Sequence, residues 1–514
     1  MTVNKILLLL LLLTLPGVPG LGADGLADLP KGKITARIVI DTNGDDEFGV
    51  YTDTRRCFEN HLDYFLWHRG WDYEIQDAEF NNSMKDSTIL NDPEPSGYSL
   101  KITASPEIIS FSARNRDARS RDYYINYPVF DRISVSAVLI DRANEESVLY
   151  SRKIELSREE IWLDVESMYD IRESPEPPDN MIRRALNHLL GELPQQARKI
   201  TIPEDEIPLF LVLDEAYREK GKEDYRGIIE EAVEYASHVF YRQFGYGFKV
   251  QGVSYMNLPG ADLSGMNKNH MAVMRNVQPA MSCLIAAVYI PRDGFNYYNR
   301  GKSFHVGLSN IGKRQMITAH IPPPDQGSRE WESFINGILF LHEAGHLLGG
   351  VHVSDAGSIM YHQSPWTSSI TFDRLNRDII ERVLENDYPL RKVSSYLELV
   401  MTALENTGYD RADFGQFLYE FAEVNPRFDW PDNLFDSDIR RSAAYLLEGV
   451  SNCRAGDYEK ARAVLYRALA LTPEQGAIHY WLYRTTEGNL AKKHLVEAAR
   501  LGFSDAVFEL MWME

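Results

Sequence analysis

The eleven residues His342-Glu343-Ala344-Gly345-His346-Leu347-Leu348-Gly349-Gly350-Val351-His352 carry three imidazoles and one carboxylate at a spacing that decides how the central part of this chain folds. His342 and His346 are four residues apart, so on a helix they stack on one face and can point at a common metal ion. His352 follows six residues later, which a continuing helix would turn to the wrong side. The helix therefore has to end between them, and Gly349 and Gly350 stand at that break. Glycine enters the left-handed conformation that ends a helix without a Cβ penalty, and the chain can then bring His352 back to the other two. Glu343 sits beside the first candidate ligand and faces the remaining coordination position. Two histidines on one buried helix face would otherwise each need a polar partner.

The stretch resembles the zinc signature HExxHxxGxxH of the metzincin peptidases, and Ser358-Ile359-Met360-Tyr361 resembles their Met-turn, which sets a methionine beneath the metal. The resemblance implies one catalytic Zn²⁺ ion held by His342, His346 and His352. It also implies Glu343 as general base, Gly349 and Met360 as structural residues of the site, and a protein or peptide as substrate. Three neutral ligands leave zinc its full charge and one open position, where a water is acidified to a pKa of about 7. Glu343 would take a proton from that water and hand it to the leaving amine. Two positions depart from particular branches. Val353 stands where the adamalysin branch has Asp, and His362, two residues after Met360, stands where the astacin and serralysin branches have a zinc-binding Tyr. No fifth ligand is expected, and the branch is open.

Around this centre, 514 residues suffice for about three domains, each with its own core. The composition, 44% hydrophobic and 25% charged, is that of a globular protein. A net charge of −21 argues against nucleic acid, whose phosphates select clustered Lys and Arg. The three cysteines, Cys57, Cys283 and Cys453, are far apart and odd in number, so no disulfide framework is implied. Some metzincin relatives hold themselves latent through an upstream thiolate. Cys57 follows Arg55-Arg56, but the rest of that motif is absent and a packed thiol is expected.

Lys5 precedes an apolar run over residues 6–15, too short to span a bilayer and followed by Pro16, Gly17, Pro19 and Gly20. Residues 1–22 read as a cleaved export signal. The mature chain is then expected to be periplasmic or secreted, with no transmembrane segment.

The expected organisation is α+β. Residues 23–202 form an N-terminal α+β domain, residues 203–392 a metzincin-like catalytic domain with a mixed sheet and an active-site helix, and residues 393–514 an all-α region. In the first, strands are expected at 34–40, 99–103, 133–140 and 147–154, with helices at 53–70 and 180–193. Asp41 to Asp45 has the look of a calcium loop, but Asp46 and Thr52 occupy its glycine and glutamate positions, so a turn is expected. In the second, strands are expected at 209–213, 248–253, 283–290 and 315–321, and helices at 225–244, 330–348 and 372–384. In the metzincins an edge strand pairs with the extended substrate, and residues 315–321 are the candidate for it. His270, His305 and His320 are expected to be structural, since the metal is already served.

In the third region, Gly456 to Ala461, then Leu465 to Leu469 and Pro473, resemble half of a tetratricopeptide repeat, with residues 443–449 as the preceding helix. Echoes stand at Leu418-Tyr419 with Pro426 and at Gly488 with Ala491 and Ala498. Such stacked helices bind peptides or partner proteins. Two functions follow from the whole sequence. One is an exported zinc endopeptidase. The alternative is a non-catalytic zinc-containing binding or scaffold protein of the cell envelope acting through its helical repeats. Retention of Glu343 beside an open metal position favours the first.

Overall fold

The computed structural model describes residues 32–40, 50–76, 97–116, 122–142, 147–158, 160–161, 174–175, 178–196, 205–219, 224–258, 283–290, 307–309, 314–321, 329–353, 357–361, 370–385 and 438–501, with a few single positions besides. The expected export signal, the turn at Asp41, the echo at Leu418, the boundary near residue 392, and His270, His305 and His362 lie outside these residues. Among the described residues no helix is long and apolar enough to cross a membrane. The chain divides into two compact units, Met1–Ala113 with Asn126–Leu163 and Arg172–Ile200, and the remainder.

The first unit is α+β. Strand β1 (Lys33–Ile40) alternates in burial, so that Ile34, Ala36 and Ile38 face inward while their neighbours are half-exposed. It pairs in parallel with β2 (Asp72–Gln76) on one side and β3 (Tyr98–Arg116) on the other, and β4 (Asp122–Asp141) and β5 (Ser147–Ser157) complete the order β2-β1-β3-β4-β5. Helix α1 (Val50–His68) brings Phe58, Leu62 and Leu66 to the core, and α2 (Pro178–Leu190) brings Met181, Ile182, Ala185 and Leu189. Truncating a fully buried ring such as Phe58 would cost about 3–5 kcal/mol. Both β3 and β4 run well beyond the spans their periodicity predicts. Pro106 and Pro128 interrupt the sequence pattern without ending the strands.

The second unit is built on a five-stranded mixed sheet. Strands β6 (Asp205–Asp214), β7 (Tyr246–Met256), β8 (Leu284–Tyr289), β9 (Gly307–Ser309) and β10 (Gln315–Ala319) stand in the order β9-β10-β8-β6-β7. Every residue of β8 is buried, as a strand with parallel neighbours on both sides and covered faces requires. Ala287 is in register with Val212 of β6 and Ile317 of β10. Only β9 runs antiparallel to its neighbour, with Leu308 opposite Ile317. This corrects the expectation for residues 315–321. That segment is an interior strand, and among the described residues the edge on its side of the sheet is the three-residue β9.

Two helices pack together over this sheet, α3 (Asp224–Phe244) and α4 (Arg329–Leu347). Helix α4 is buried almost all round, consistent with its apolar composition. Phe240, Phe244, Phe248, Phe340 and Phe372 pack in tilted and edge-to-face pairs and tie α3, β7, α4 and the entry to helix α5 (Arg374–Glu385) into one aromatic cluster. At the other end of α4, His320 is saturated as expected for a structural residue. Its Nδ1 lies 2.8 Å from Tyr217 Oη and its Nε2 2.6 Å from Glu332 Oε1. Burial, then the nearby Asp214 and Glu332 charges, push the Tyr217 hydroxyl well above its ordinary pKa, so it acts as a donor.

Beyond residue 437 the chain is helical: α6 (Asp438–Arg454), α7 (Tyr458–Leu471), α8 (Gly476–Thr485) and α9 (Gly488–Arg500), each packed on the next in sequence. Asp457 caps α7 by accepting from the Lys460 amide at 3.2 Å. Leu446, Leu465, Ile478, Leu482 and Leu495 fill the core between them. All three cysteines are buried, and none is in a disulfide.

Candidate metal centre

The metal-ligand geometry begins with how α4 ends. Gly349 has φ +96°, its amide donates to His346 O at 3.0 Å, and the Gly350 amide donates to Gly345 O at 2.7 Å. This pair of bonds is a Schellman termination, with Gly349 as the left-handed residue. It resolves the expected break at Gly349 or Gly350 in favour of Gly349. The reversal carries His352 back, and its Nε2 comes within 3.2 Å of His346 Nε2 and 3.3 Å of His342 Nε2. The three histidines are the one group among the described residues able to hold a metal ion.

Their protonation follows from their other nitrogens. His342 Nδ1 lies 2.7 Å from Ile359 O, and His346 Nδ1 lies 2.9 Å from Gly350 O. A carbonyl only accepts, so each Nδ1 carries the proton and each Nε2 presents a lone pair. The Nε2 of His352 stands 3.2 and 3.3 Å from these two lone pairs, and three imidazole nitrogens drawn this close together, two with carbonyl-fixed tautomers, are what a zinc ion takes. The residues present therefore fit the metal.

Glu343 is buried beside this cluster. Burial raises its carboxyl pKa to about 7, against the opposing pull of the Ser309 hydroxyl and the His352 ring. Ser309 Oγ on edge strand β9 donates to Glu343 Oε2 at 2.5 Å. Gly307, two residues earlier, lies so close that a Cβ there would stand 1.9 Å from Glu343 Oε1. The sheet edge thus touches the carboxylate directly, and only a residue without a side chain fits at 307.

Met360 is fully buried in the turn at residues 358–361, closed by the Tyr361 amide donating to Ser358 O at 3.1 Å. A Cβ on Gly345 would meet Met360 Sδ at 2.7 Å, so the methionine packs against the helix turn that carries both histidines. The Val353 amide donates to Met360 O at 3.2 Å, which ties the segment after His352 to the same turn. The candidate ligands His342, His346 and His352 come together here, with Glu343, Gly349 and Met360 in the same locality.

Sequence reasoning missed Gly307 and Ser309, Gly345, and the polar residues Ser358, Asp373 and Asn376. Of these, only Asp373 carried a readable signal, as an acidic residue immediately before an amphipathic helix. It is the N-cap of α5, its Oδ1 accepting from the Asn376 amide at 3.0 Å.

No family model matches this chain, and no curated protein does. Solved structures similar to it include archaemetzincin from Methanopyrus kandleri, 16% identical over 36% of this chain and 99% of that one, with TM-score 0.28. A zinc-dependent peptidase from Methanocorpusculum labreanum is 16% identical over 33% and 97% of the two chains, with TM-score 0.24. Metalloproteinase-II from Bacteroides fragilis is 13% identical over 57% and 92%, also with TM-score 0.24. The TM-scores are too low for these likenesses to carry an argument about this chain, whose site stands on its own geometry.

Proposed function

We propose that this chain is a metzincin-like zinc endopeptidase, exported through its N-terminal segment, with a C-terminal tetratricopeptide-like region that docks a protein partner. The observation that carries the reading is the convergence of three imidazole Nε2 atoms, those of His342, His346 and His352, next to one buried carboxylate, Glu343. Zinc held there would supply a Lewis acid and a water acidic enough to attack near neutral pH. Glu343 takes the proton from the attacking water and passes it to the departing amine, the two proton transfers that peptide hydrolysis requires. Its oxygens are held between the Ser309 hydroxyl and the Gly307 backbone, so the acceptor is already oriented. Strand β9, an antiparallel sheet edge against the carboxylate, offers main-chain groups with which an extended peptide can pair. A peptide paired there would have its scissile bond beside Glu343, which favours a peptide over a compact small molecule as substrate.

The test combines metal analysis of the purified chain with digestion of a mixed peptide library by wild type and Glu343→Ala. One zinc per chain and new cleavage products that vanish with the variant are expected, the loss being about 10²–10⁴-fold in rate. A wild type that holds zinc but makes no product the variant fails to make would overturn the peptidase reading in favour of a zinc-containing scaffold.

A further inference from the structure

We propose that Asn376, on helix α5, is the positioning residue for the third metal ligand. This rests on the metal-centre reading above and goes beyond it by naming what sets the place of His352.

Asn376 is fully buried, which is unusual for an asparagine and requires that its amide be satisfied within the protein. Its Oδ1 accepts from the Val351 amide at 2.7 Å, and its Nδ2 donates to the Val351 carbonyl at 3.0 Å. One side-chain amide thus grips both main-chain groups of the residue immediately before His352, pairing with them as a neighbouring β-strand would. Val351 is itself fully buried, so its amide and carbonyl have no access to water. The grip is fitted from the other side by Gly350, where a Cβ would lie 3.2 Å from Asn376 Oδ1 and 2.9 Å from Gly345 O.

The amide is in turn held in one orientation. Its second Nδ2 proton goes to Asp373 Oδ2 at 2.6 Å, which fixes Nδ2 toward the carboxylate and Oδ1 toward the Val351 amide. The same Oδ2 accepts from Ser358 Oγ at 2.5 Å, and Ser358 Oγ accepts from the Met360 amide at 3.0 Å. Two branches therefore leave the first turn of α5. One fixes the segment entering His352, and the other fixes the turn that carries Met360. The first two histidines need no such support, because helix α4 sets their spacing. The third lies beyond the helix end in irregular chain, and its place must come from elsewhere. Outer partners of metal ligands are commonly worth 10- to 100-fold in metal affinity, and here the partner acts one residue away through the backbone.

Zinc affinity of the full chain, measured by competition with a chromogenic chelator, tests the assignment. Asn376→Leu keeps the side-chain volume and removes the grip, and it is expected to weaken zinc binding about 10- to 100-fold. Asn376→Ala should do the same. Ile380→Ala is the control, a fully buried residue of the same helix that touches neither Val351 nor Ser358 by hydrogen bonds. It should lower the melting temperature while leaving zinc affinity within about twofold, because it opens a cavity rather than freeing the ligand segment. Hydrogen exchange on the metal-free proteins gives a second readout: the Val351 amide should be protected in wild type and Ile380→Ala and should lose that protection in Asn376→Leu. Asn376→Leu binding zinc as wild type does, or Ile380→Ala weakening zinc as much as Asn376→Leu does, would overturn the proposal while leaving the metal centre intact. A wild type that takes up no zinc would overturn both.

Discussion

Two histidine clusters in this chain have ring nitrogens at nearly the same separation and opposite chemistry. Around His342, His346 and His352 the facing Nε2 atoms are 3.2 and 3.3 Å apart, and in the C-terminal helices His479 Nδ1 and His494 Nδ1 are 3.0 Å apart. The difference lies in the nitrogens that point away. In the first cluster carbonyls claim the outer protons of His342 and His346, so both rings turn an Nε2 lone pair inward, toward His352 Nε2. In the second, His479 Nε2 donates to Pro473 O at 3.0 Å, which leaves its Nδ1 to accept from His494 Nδ1, while His494 Nε2 faces Tyr466 Oη at 3.4 Å and can accept from it. That chain alternates donor and acceptor from end to end and presents no lone pair to a cation. Proximity of imidazoles is therefore weak evidence for a metal. The direction of the surrounding hydrogen bonds is what separates a ligand set from a packed relay.

The largest effect that could break this contrast is loss of metal. His346→Ala should weaken zinc binding by at least about a thousandfold, since each ligand carries several kcal/mol of a total of about 10–16. His494→Ala should leave zinc content unchanged, and metal analysis of the two purified variants compares them directly. Next in size is stabilisation by the ion. Zinc at about 100 times its dissociation constant should stabilise the folded site by about 2.7 kcal/mol, visible as slower hydrogen exchange in α4 and at residues 350–361. Peptides from α8 and α9 should not respond, and a response there would erase the distinction.

A smaller effect concerns the edge strand. Ser309→Ala removes one hydrogen bond to Glu343, worth about 1 kcal/mol, and should lower kcat about fivefold with KM little changed in a peptide-cleavage assay. The smallest is a pH effect confined to the relay. Burial holds the pKa of both His479 and His494 below the ordinary 6.5; Glu497 pulls that of His479 up, and Arg500 and the paired ring oppose protonation. The unfolded chain then binds protons more readily than the folded one. Stability that is complete above about pH 6.5 should decline as pH falls below that value toward the folded pKa values. Exchange in α8 and α9, corrected for intrinsic rates, should rise over that range and should do so less in His494→Gln.

How much of this was legible in the sequence depended on whether chemistry or pairing selects the residue. The ligands, Glu343, Gly349 and Met360 were readable because a metal site demands particular side chains at fixed intervals and a helix reversal demands a particular backbone. Edge strand β9 was not, because Gly307-Leu308-Ser309 is too short to show alternation and its place at the sheet edge is set by its pairing with β10. Asn376 reads as a solvent-facing position of an amphipathic helix. It is buried because its partner is a peptide group, and peptide groups leave no mark on the sequence. Helix α1 begins before, and strands β3 and β5 end after, the predicted limits, since sheet and core contacts carry an element past the point where its own pattern fades.

The contact between Gly345 and Met360 has a consequence for how this site can change over generations. The zinc motif leaves position 345 open to any residue, yet Met360 Sδ and Phe372 Cε1 occupy the space a Cβ would need, at 2.7 and 2.8 Å. Positions 345, 360 and 372 therefore form a single heritable unit. A library randomised at 345 alone should return glycine, and one randomised at all three should return larger residues at 345 only in clones where the residues at 360 and 372 have become smaller.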